Sequence, residues 1–562
     1  MKRLLLPLLC LSTSFALTAG DLDMANKIRT EGFYNSHVMD TLEHLTDNIG
    51  PRLTGSPQML EANNWTKQQL EKWGLKNAYL DPFEFGRGWS HDLASIDMVS
   101  PRNVTLHGIP VAWTPGTNGR VVGELVFFDA VTEAELQSYK GKLNGKFLMM
   151  GEPKKIGEPK MPVFKRYDSK SLSKLKEFPV GRFASHQSSF TADRKDGSMR
   201  SYKFRKVLNK FLVEEKVAGA IYSSSRQGGI VSTWGKTHRV GNTYPIPAIV
   251  IEAEHYAMLS RMMGHGKTPK VALNIKAQFH DKDRNAYNTI AEIPGTDSDP
   301  EIVMVGGHLD SWHASGGAVD NGAGVAVSME AMRILKALDV KPKRTIRIAL
   351  WAGEEQGLHG SKAYVEEHFA TRPKPESAQE RKLPSYLWHS KGWPIQPKGD
   401  WEKFSVYFNM DGGSGRFRGI FTEGNVATKP IFSKWFGPYS DLSTGTITNK
   451  SDNYTDHESF DNVGLPGFQF IQDKLDYFTR LHHSHLDSFD HVVEDDLKQA
   501  SVIMAAFLYN AAMADERMPR KPMPVGPTAR QQRKIDQKVE KARRKRERNA
   551  SRAIDTERYN RD

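Results

Sequence analysis

From Asn288 onward, short and continuously apolar runs alternate with stretches of helical period. Strand-like runs fall at Thr289 to Ile293, Ile302 to Val305, Ile346 to Trp351, Ser405 to Asn409 and Phe468 to Ile471. Helical patterns fall at about Gly324 to Leu338 and near Ser361 to His368. A strand that reads as an unbroken apolar run is covered on both faces. Its alternation with helices therefore predicts an α/β fold: a doubly wound, mostly parallel sheet with helices on both faces. Sheets of this kind place their functional groups beyond the carboxyl ends of the strands.

The remainder of the chain divides around this region. Asn26 to Leu75 reads as helices about a turn at Gly50-Pro51-Arg52-Leu53-Thr54-Gly55-Ser56-Pro57, the second helix ending at Gly74. Between Trp89 and His280 the texture changes to short strand-like runs, such as Val121 to Phe128, Phe147 to Met150, Ala218 to Tyr222 and Ile246 to Ile251, set among Gly, Pro and charged residues. The expected domains are therefore a main domain from 21–88 and 281–515, a β-rich insert at 89–280 and a tail at 516–562. Within the main domain, Phe369 to Lys403 carries Pro373, Pro375, Pro384, Pro394 and Pro397 with Trp388, Trp393 and Trp401, and reads as an irregular loop whose indoles pack on the body.

Residues 1–20 combine the basic Met1-Lys2-Arg3, the apolar Leu4 to Leu11 and the small residues of Ala16 to Gly20, the order of a cleaved export signal. The expected location is periplasmic or extracellular. The single cysteine, Cys10, lies in that segment, so no disulfide is expected in the mature chain. No later run approaches the roughly 18–20 apolar residues that span a bilayer. The net charge of +12 is concentrated in 516–562, which holds 16 Lys/Arg against 7 Asp/Glu and leaves only +3 elsewhere. No aromatic residue lies between Pro519 and Arg558 to stack on bases, so no nucleic-acid partner is expected. A solvated extension that contacts acidic cell-envelope surfaces fits the tail better.

Metal-binding residue types recur where the sheet pattern puts strand ends. His308 and Asp310 follow the run ending in Val305-Gly306-Gly307, Asp320 precedes the Gly324 helix, and Glu354 and Glu355 follow Trp351-Ala352-Gly353. Asp411 follows Phe408-Asn409-Met410, and His482, His483 and His485 cluster after the Phe468 run. Such a set suits two divalent ions with Asp320 as the bridge. Asp310 is placed to accept the second N–H of His308 and fix its tautomer. Neighbouring side chains diverge, so of Glu354 and Glu355 one is expected to bind metal and the other to face the attacking water. Which of the three histidines binds stays open on spacing alone.

Several runs carry a resemblance: Gly306-Gly307-His308-Leu309-Asp310-Ser311-Trp312, Gly317 to Gly324, Trp351 to Ser361, Asn409-Met410-Asp411 and His483-Ser484-x-x-Asp487. They resemble the co-catalytic zinc peptidases of metallopeptidase family 28, and His-Leu-Asp-Ser-Trp and His-His-Ser-His look most like its carboxypeptidase Q branch. The likeness extends to Asn48 to Ser56 and to Asp456 to Phe460, and covers most of Asp21 to Ala514. It implies two zinc ions, one held by His308, Asp320 and Asp411 and the other by Asp320, Glu355 and His483, with Glu354 as the general base. The implied activity is that of an exopeptidase, aminopeptidase or carboxypeptidase Q-like dipeptidase, acting on short peptides, with a homodimer among the admitted assemblies. The insert resembles a protease-associated domain. His313 departs from the acidic residue that the branch often carries. The contrasting expectation is a non-catalytic receptor on the same scaffold; the complete set of ligand and base residues argues against it. Asp456, His457 and Tyr477 are given no catalytic role.

Overall fold

Alternate residues of the strand Ile302–His308 face two different cores. Val303 and Val305 join the larger core with the helices Ala323–Ala337 and Glu494–Met513, while Ile302 and Met304 meet Trp351, Tyr407 and Phe460 on the opposite face. This two-residue alternation makes the strand a central one, buried along its whole length. The computed structural model describes residues 19–158, 162–179, 192–381, 383, 392–526, 533 and 537. Residues 1–18, with Cys10 and most of the expected export signal, lie outside the described residues, as do Pro384, Trp388 and the tail beyond 526 apart from 533 and 537.

The first sheet has eight strands in the order Lys76–Glu84, Asn285–Ile293, Thr345–Trp351, Ile302–His308, Phe404–Asn409, Gly467–Gln472, Phe417–Phe421, Thr446–Thr448. Its middle four pair in parallel. Antiparallel pairing appears toward both flanks. The register sets His308 opposite Trp351, Gly306 opposite Asn409, and Asn409 opposite Gln469, so the four carboxyl ends lie together along one edge of the sheet. Helices cover both faces, as the apolar runs predict. The strand runs through Gly306 and Gly307 and takes in His308 itself. Gly324 lets the following helix sit on those ends, because a Cβ there would stand 2.4 Å from the Met410 carbonyl oxygen.

A second eight-stranded sheet takes all its strands from 88–280, in the order Val104–Leu106, Gly88–Ser100, Lys270–His280, Val121–Phe128, Phe147–Met150, Gly219–Ser223, Ala248–Ile251, Gly108–Pro110. This region is less purely β than its texture suggests. The helix Ala192–Glu214 packs Leu208, Phe211 and Leu212 beneath the sheet, and Ala253–Gly264 covers the other side.

One expectation is met and one boundary shifts. In the loop after Phe369, Trp393 and Trp401 pack against the core of the second face, with Trp401 Nε1 donating to the Val463 carbonyl at 3.3 Å. Residues 516–526, assigned to the tail by charge, are docked on the main domain. Met518 is buried, Arg520 donates to the Trp401 and Phe404 carbonyls at 2.6 and 2.7 Å, and Lys521 pairs with Asp461 at 2.5 Å. Charge counting missed this because these cations serve as donors to fixed carbonyls and carboxylates. No helix among the described residues is long and apolar enough to cross a membrane.

Candidate active site

The turn before the helix Ala323–Ala337 presents Asp320, and three neighbours hold it. The backbone N–H groups of Val319 and Asp320 donate to the Asp487 carboxylate at 2.7 and 3.0 Å. Asn321 reaches across to the Met410 carbonyl at 2.8 Å, which ties the turn to the segment bearing Asp411. Arg52, fully buried, donates to the carbonyls of Leu309, Leu45, Gly50, Gly316 and Gly317 at 2.6–3.1 Å. One guanidinium thus fixes the loop from Leu309 to Gly317 that links His308 to Asp320.

The two oxygens of Asp320 face different partners. Oδ1 lies 3.5 Å from His308 Nε2, which is itself 3.6 Å from Asp411 Oδ1. Oδ2 lies 3.6 Å from His483 Nε2, which is 2.9 Å from Glu355 Oε2. Glu354 Oε2 stands 3.9 Å from His308 Nε2. Ligands about 2.1 Å from a tetrahedral ion are separated by roughly 3.4 Å, which the His308, Asp320 and Asp411 spacings fit. On the other side Asp320, His482 and His483 also lie close enough to share an ion, while the 2.9 Å from His483 to Glu355 is a hydrogen-bond distance. Three buried atoms aimed inward, His308 Nε2, Asp320 Oδ2 and Glu355 Oε1, have no hydrogen-bond partner, as metal-directed atoms would. The residues present therefore fit divalent cations.

The electrostatics agree. Burial pushes the carboxyls of Glu354 and Glu355 well above the usual range, reinforced by Asp411 at the first and Asp320 at the second. For His308, burial works to lower the pKa, but Asp411 and Glu354 outweigh it and hold it well above the imidazole value. Burial likewise opposes ionisation of Asp320 and Asp411, yet His308 and its neighbours keep both below the ordinary carboxylate value. So many buried carboxylates around two imidazoles concentrate negative charge, which cations neutralise.

The expected residues fall as follows. His308, Asp320, Glu354, Glu355, Asp411 and His483 come together. Asp310 stands behind them, but in a different role from the one anticipated. His308 Nδ1 meets the Asp310 backbone carbonyl at 2.8 Å, while the Asp310 carboxylate accepts from Thr54 Oγ1 at 2.8 Å and from the backbone N–H groups of Glu354 and Glu355 at 3.2 and 3.4 Å. The carboxylate thus orients the Glu354-Glu355 turn, and the carbonyl orients the imidazole.

Among the other histidines, His482 Nε2 reaches 4.0 Å from Asp320 Oδ2 and its ring lies over that of His483 at 3.7 Å, whereas only His483 also meets Glu355. His485 turns away, its Nδ1 accepting from the Val231 N–H at 3.1 Å. His313 sits at the border with the second sheet, where its Nε2 meets the Pro110 carbonyl at 2.7 Å and burial lowers it to about 3. His457 pairs with Glu423 at 3.5 Å, and Asp456 is buried without capping its helix. Tyr477 is buried with its ring 4.9 Å from that of His482. Arg52, Thr54 and Asp487 were legible only as members of the quoted runs. Their partners lie across the chain, up to 265 positions away for Arg52, and spacing cannot show such contacts.

Comparison with known proteins follows the same line. The family model described as Peptidase family M28 matches residues 288–508. Carboxypeptidase Q of Mus musculus is 26% identical, with 87% of this chain and 88% of that protein aligned. The crystal structure of a Peptidase M28 precursor from Shewanella amazonensis SB2B superposes with a TM-score of 0.62 at 24% identity, covering 90% of this chain and 99% of that one. BSAP, a zinc aminopeptidase from Bacillus subtilis, shares the fold at a TM-score of 0.52 and 17% identity, covering 86% of this chain and 96% of that one. A mixed α/β sheet that gathers histidines and carboxylates at its carboxyl edge, with these relatives, defines a zinc metallopeptidase. Residues 288–508 are the part of the chain that matches peptidase family M28.

Proposed function

We propose that this protein is an exported exopeptidase that hydrolyses short peptides with two zinc ions per chain. His308, Asp320 and Asp411 would hold one ion and Asp320, Glu355 and His483 the other. The observation that carries the proposal is the division of Asp320: its two oxygens face two separate sets, one through His308 and one through His483. Zinc, when bound, brings the pKa of water toward neutrality and polarises a carbonyl. Glu354 is the group left over once those ligands are assigned, and it is fixed by the hydrogen bond from its own N–H to Asp310. Its carboxylate takes the proton of the attacking water and returns it to the leaving amine. Residues 21–88 and 281–515 form the peptidase domain in this proposal, and 89–280 an insert like a protease-associated domain, beside the site.

Glu354→Gln is the decisive substitution. It keeps size and hydrogen bonding but cannot accept a proton, so kcat should fall by about 10²–10⁴ or more. Zinc measured by atomic emission should remain near two per chain. Wild-type turnover in that variant would remove Glu354 from the role of base, and loss of one zinc would make it a ligand instead.

A further inference from the structure

His483 differs from the other residues of the site in how it is held. His308 ends a strand, and Glu355 and Asp411 follow strand ends by a few residues; His483 lies on a long excursion, 473–486, after the strand Gly467–Gln472. It is about one-third exposed, and its backbone adopts a φ of +55°, a left-handed conformation unfavourable for a side chain with a Cβ. Something outside the central sheet must hold it.

The second sheet's domain does so through two segments. The Thr233 N–H donates to the His483 carbonyl at 2.8 Å, and Arg226 Nη2 donates to the His482 carbonyl at 2.8 Å. His485 completes the grip: its N–H donates to the Val231 carbonyl at 3.2 Å, and its ring accepts the Val231 N–H at 3.1 Å. The gripping segment is itself braced, since Ser224 Oγ donates to the Ile230 carbonyl at 2.6 Å and accepts the N–H groups of Arg226 and Ser232 at 3.2 and 3.1 Å. Further back on the excursion, the Lys165 N–H donates to the Leu475 carbonyl at 3.0 Å, and Arg166 bridges the buried carboxylates of Asp473 and Asp496 at 3.1 and 2.6 Å. Residues 163–166 and 226–233 therefore bracket the excursion at both ends.

We propose that the second-sheet domain positions His483 for metal binding, with Arg226 and the 231–233 segment as its clamp, so that this domain sets the affinity of the second zinc site while leaving the first alone. The inference rests on the two-ion reading of the site. The physical reason for selectivity is that the His308, Asp320 and Asp411 set draws its supports from Arg52, Asn321 and Asp487, none of which belongs to 89–280. A ligand that must be ordered on binding gives up conformational entropy that a preordered one does not, and the clamp removes that cost at His483 alone.

The test measures zinc occupancy of full-length wild-type, Arg226→Met, Arg226→Lys and His485→Ala proteins dialysed against buffers of graded free zinc. In Arg226→Met and His485→Ala, the free zinc needed to half-fill the second site should rise at least tenfold, with the first site filling as in wild type. Arg226→Lys, which keeps a donor, should recover part of the shift. Equal filling of both sites in wild type and variants would overturn the inference and leave the two-ion reading standing, and so would parallel weakening of both sites. A wild-type chain that holds a single ion would overturn both. Far-ultraviolet circular dichroism matching wild type is the control for folding, so the parallel weakening that counts against the inference is that of a folded chain.

Discussion

At the residue scale, the site is a set of long-range ties that converge on a few carboxylates. Residue types and positions of His308, Asp320, Glu354, Glu355 and Asp411 were readable in the sequence because each lies within a few positions of an apolar strand or helix run. The role of Asp310 was only half readable. Its position two residues after His308 predicts contact with the imidazole, but Thr54, 256 positions away, captures the carboxylate, and the backbone carbonyl takes the imidazole instead. Arg52 shows the same limit more sharply. Its guanidinium donates to five carbonyls, and burial lowers its pKa to about 10, a shift that still leaves it charged at neutral pH. Arg52→Met would leave those carbonyls buried without donors. Each such loss costs about 1–3 kcal/mol before relaxation, and these losses are not additive, so a fall of about 3–5 kcal/mol is expected. Urea unfolding measures it, and zinc content should fall with it as the Leu309 to Gly317 loop loosens. A change below about 1 kcal/mol would show that water replaces the guanidinium.

At the element scale, helices and central strands were legible, as were Val121–Phe128, Phe147–Met150, Gly219–Ser223 and Ala248–Ile251 of the second sheet, but its long antiparallel pair was not. The longest antiparallel pair, Gly88–Ser100 with Lys270–His280, has a register shift between His91 and Leu93, so the buried positions move from Trp89 to Ile96 and Met98. A change of parity within one strand erases the two-residue alternation by which strands are recognised. The helix Ala192–Glu214 was hidden differently, by basic residues spread among Leu208, Phe211 and Leu212. The proline- and tryptophan-rich loop was read as anchored by its indoles, and Trp393 and Trp401 do pack on the second-face core, with Arg372 and Arg520 4.3 and 4.0 Å over their rings. Because Trp401 is only partly buried, Trp401→Ala should cost about 2–3 kcal/mol, less than a full core deletion. Denaturant midpoints should report that loss with KM unchanged. An altered KM at unchanged stability would instead place the indole in a substrate subsite.

At the scale of the whole molecule, the charge distribution separates a docked segment from a basic extension. Residues 516–526 are fixed by Met518, Arg520 and Lys521, and Arg517 Nε pairs with Glu301 at 3.0 Å, whereas 527–562 carries 13 Lys/Arg against 6 Asp/Glu. Sequence composition grouped the two because both are rich in cations, whereas 516–526 has partners on the folded surface. Two truncations should therefore behave differently. A chain ending at Gly526 should keep wild-type stability, zinc content and turnover, and lose any binding to anionic vesicles or acidic polysaccharide. The binding lost should weaken as salt rises, since exposed charges more than about 8 Å apart are largely screened at physiological ionic strength. A chain ending at Asp515 removes the buried Met518 and the donors to the Trp401 and Phe404 carbonyls, and should lose about 2–4 kcal/mol of stability in addition. Equal retention on anionic surfaces by the full chain and the Gly526 form would sink the tail as an adhesive element. Equal stability of the two truncated forms would show that the docked segment contributes nothing to the fold.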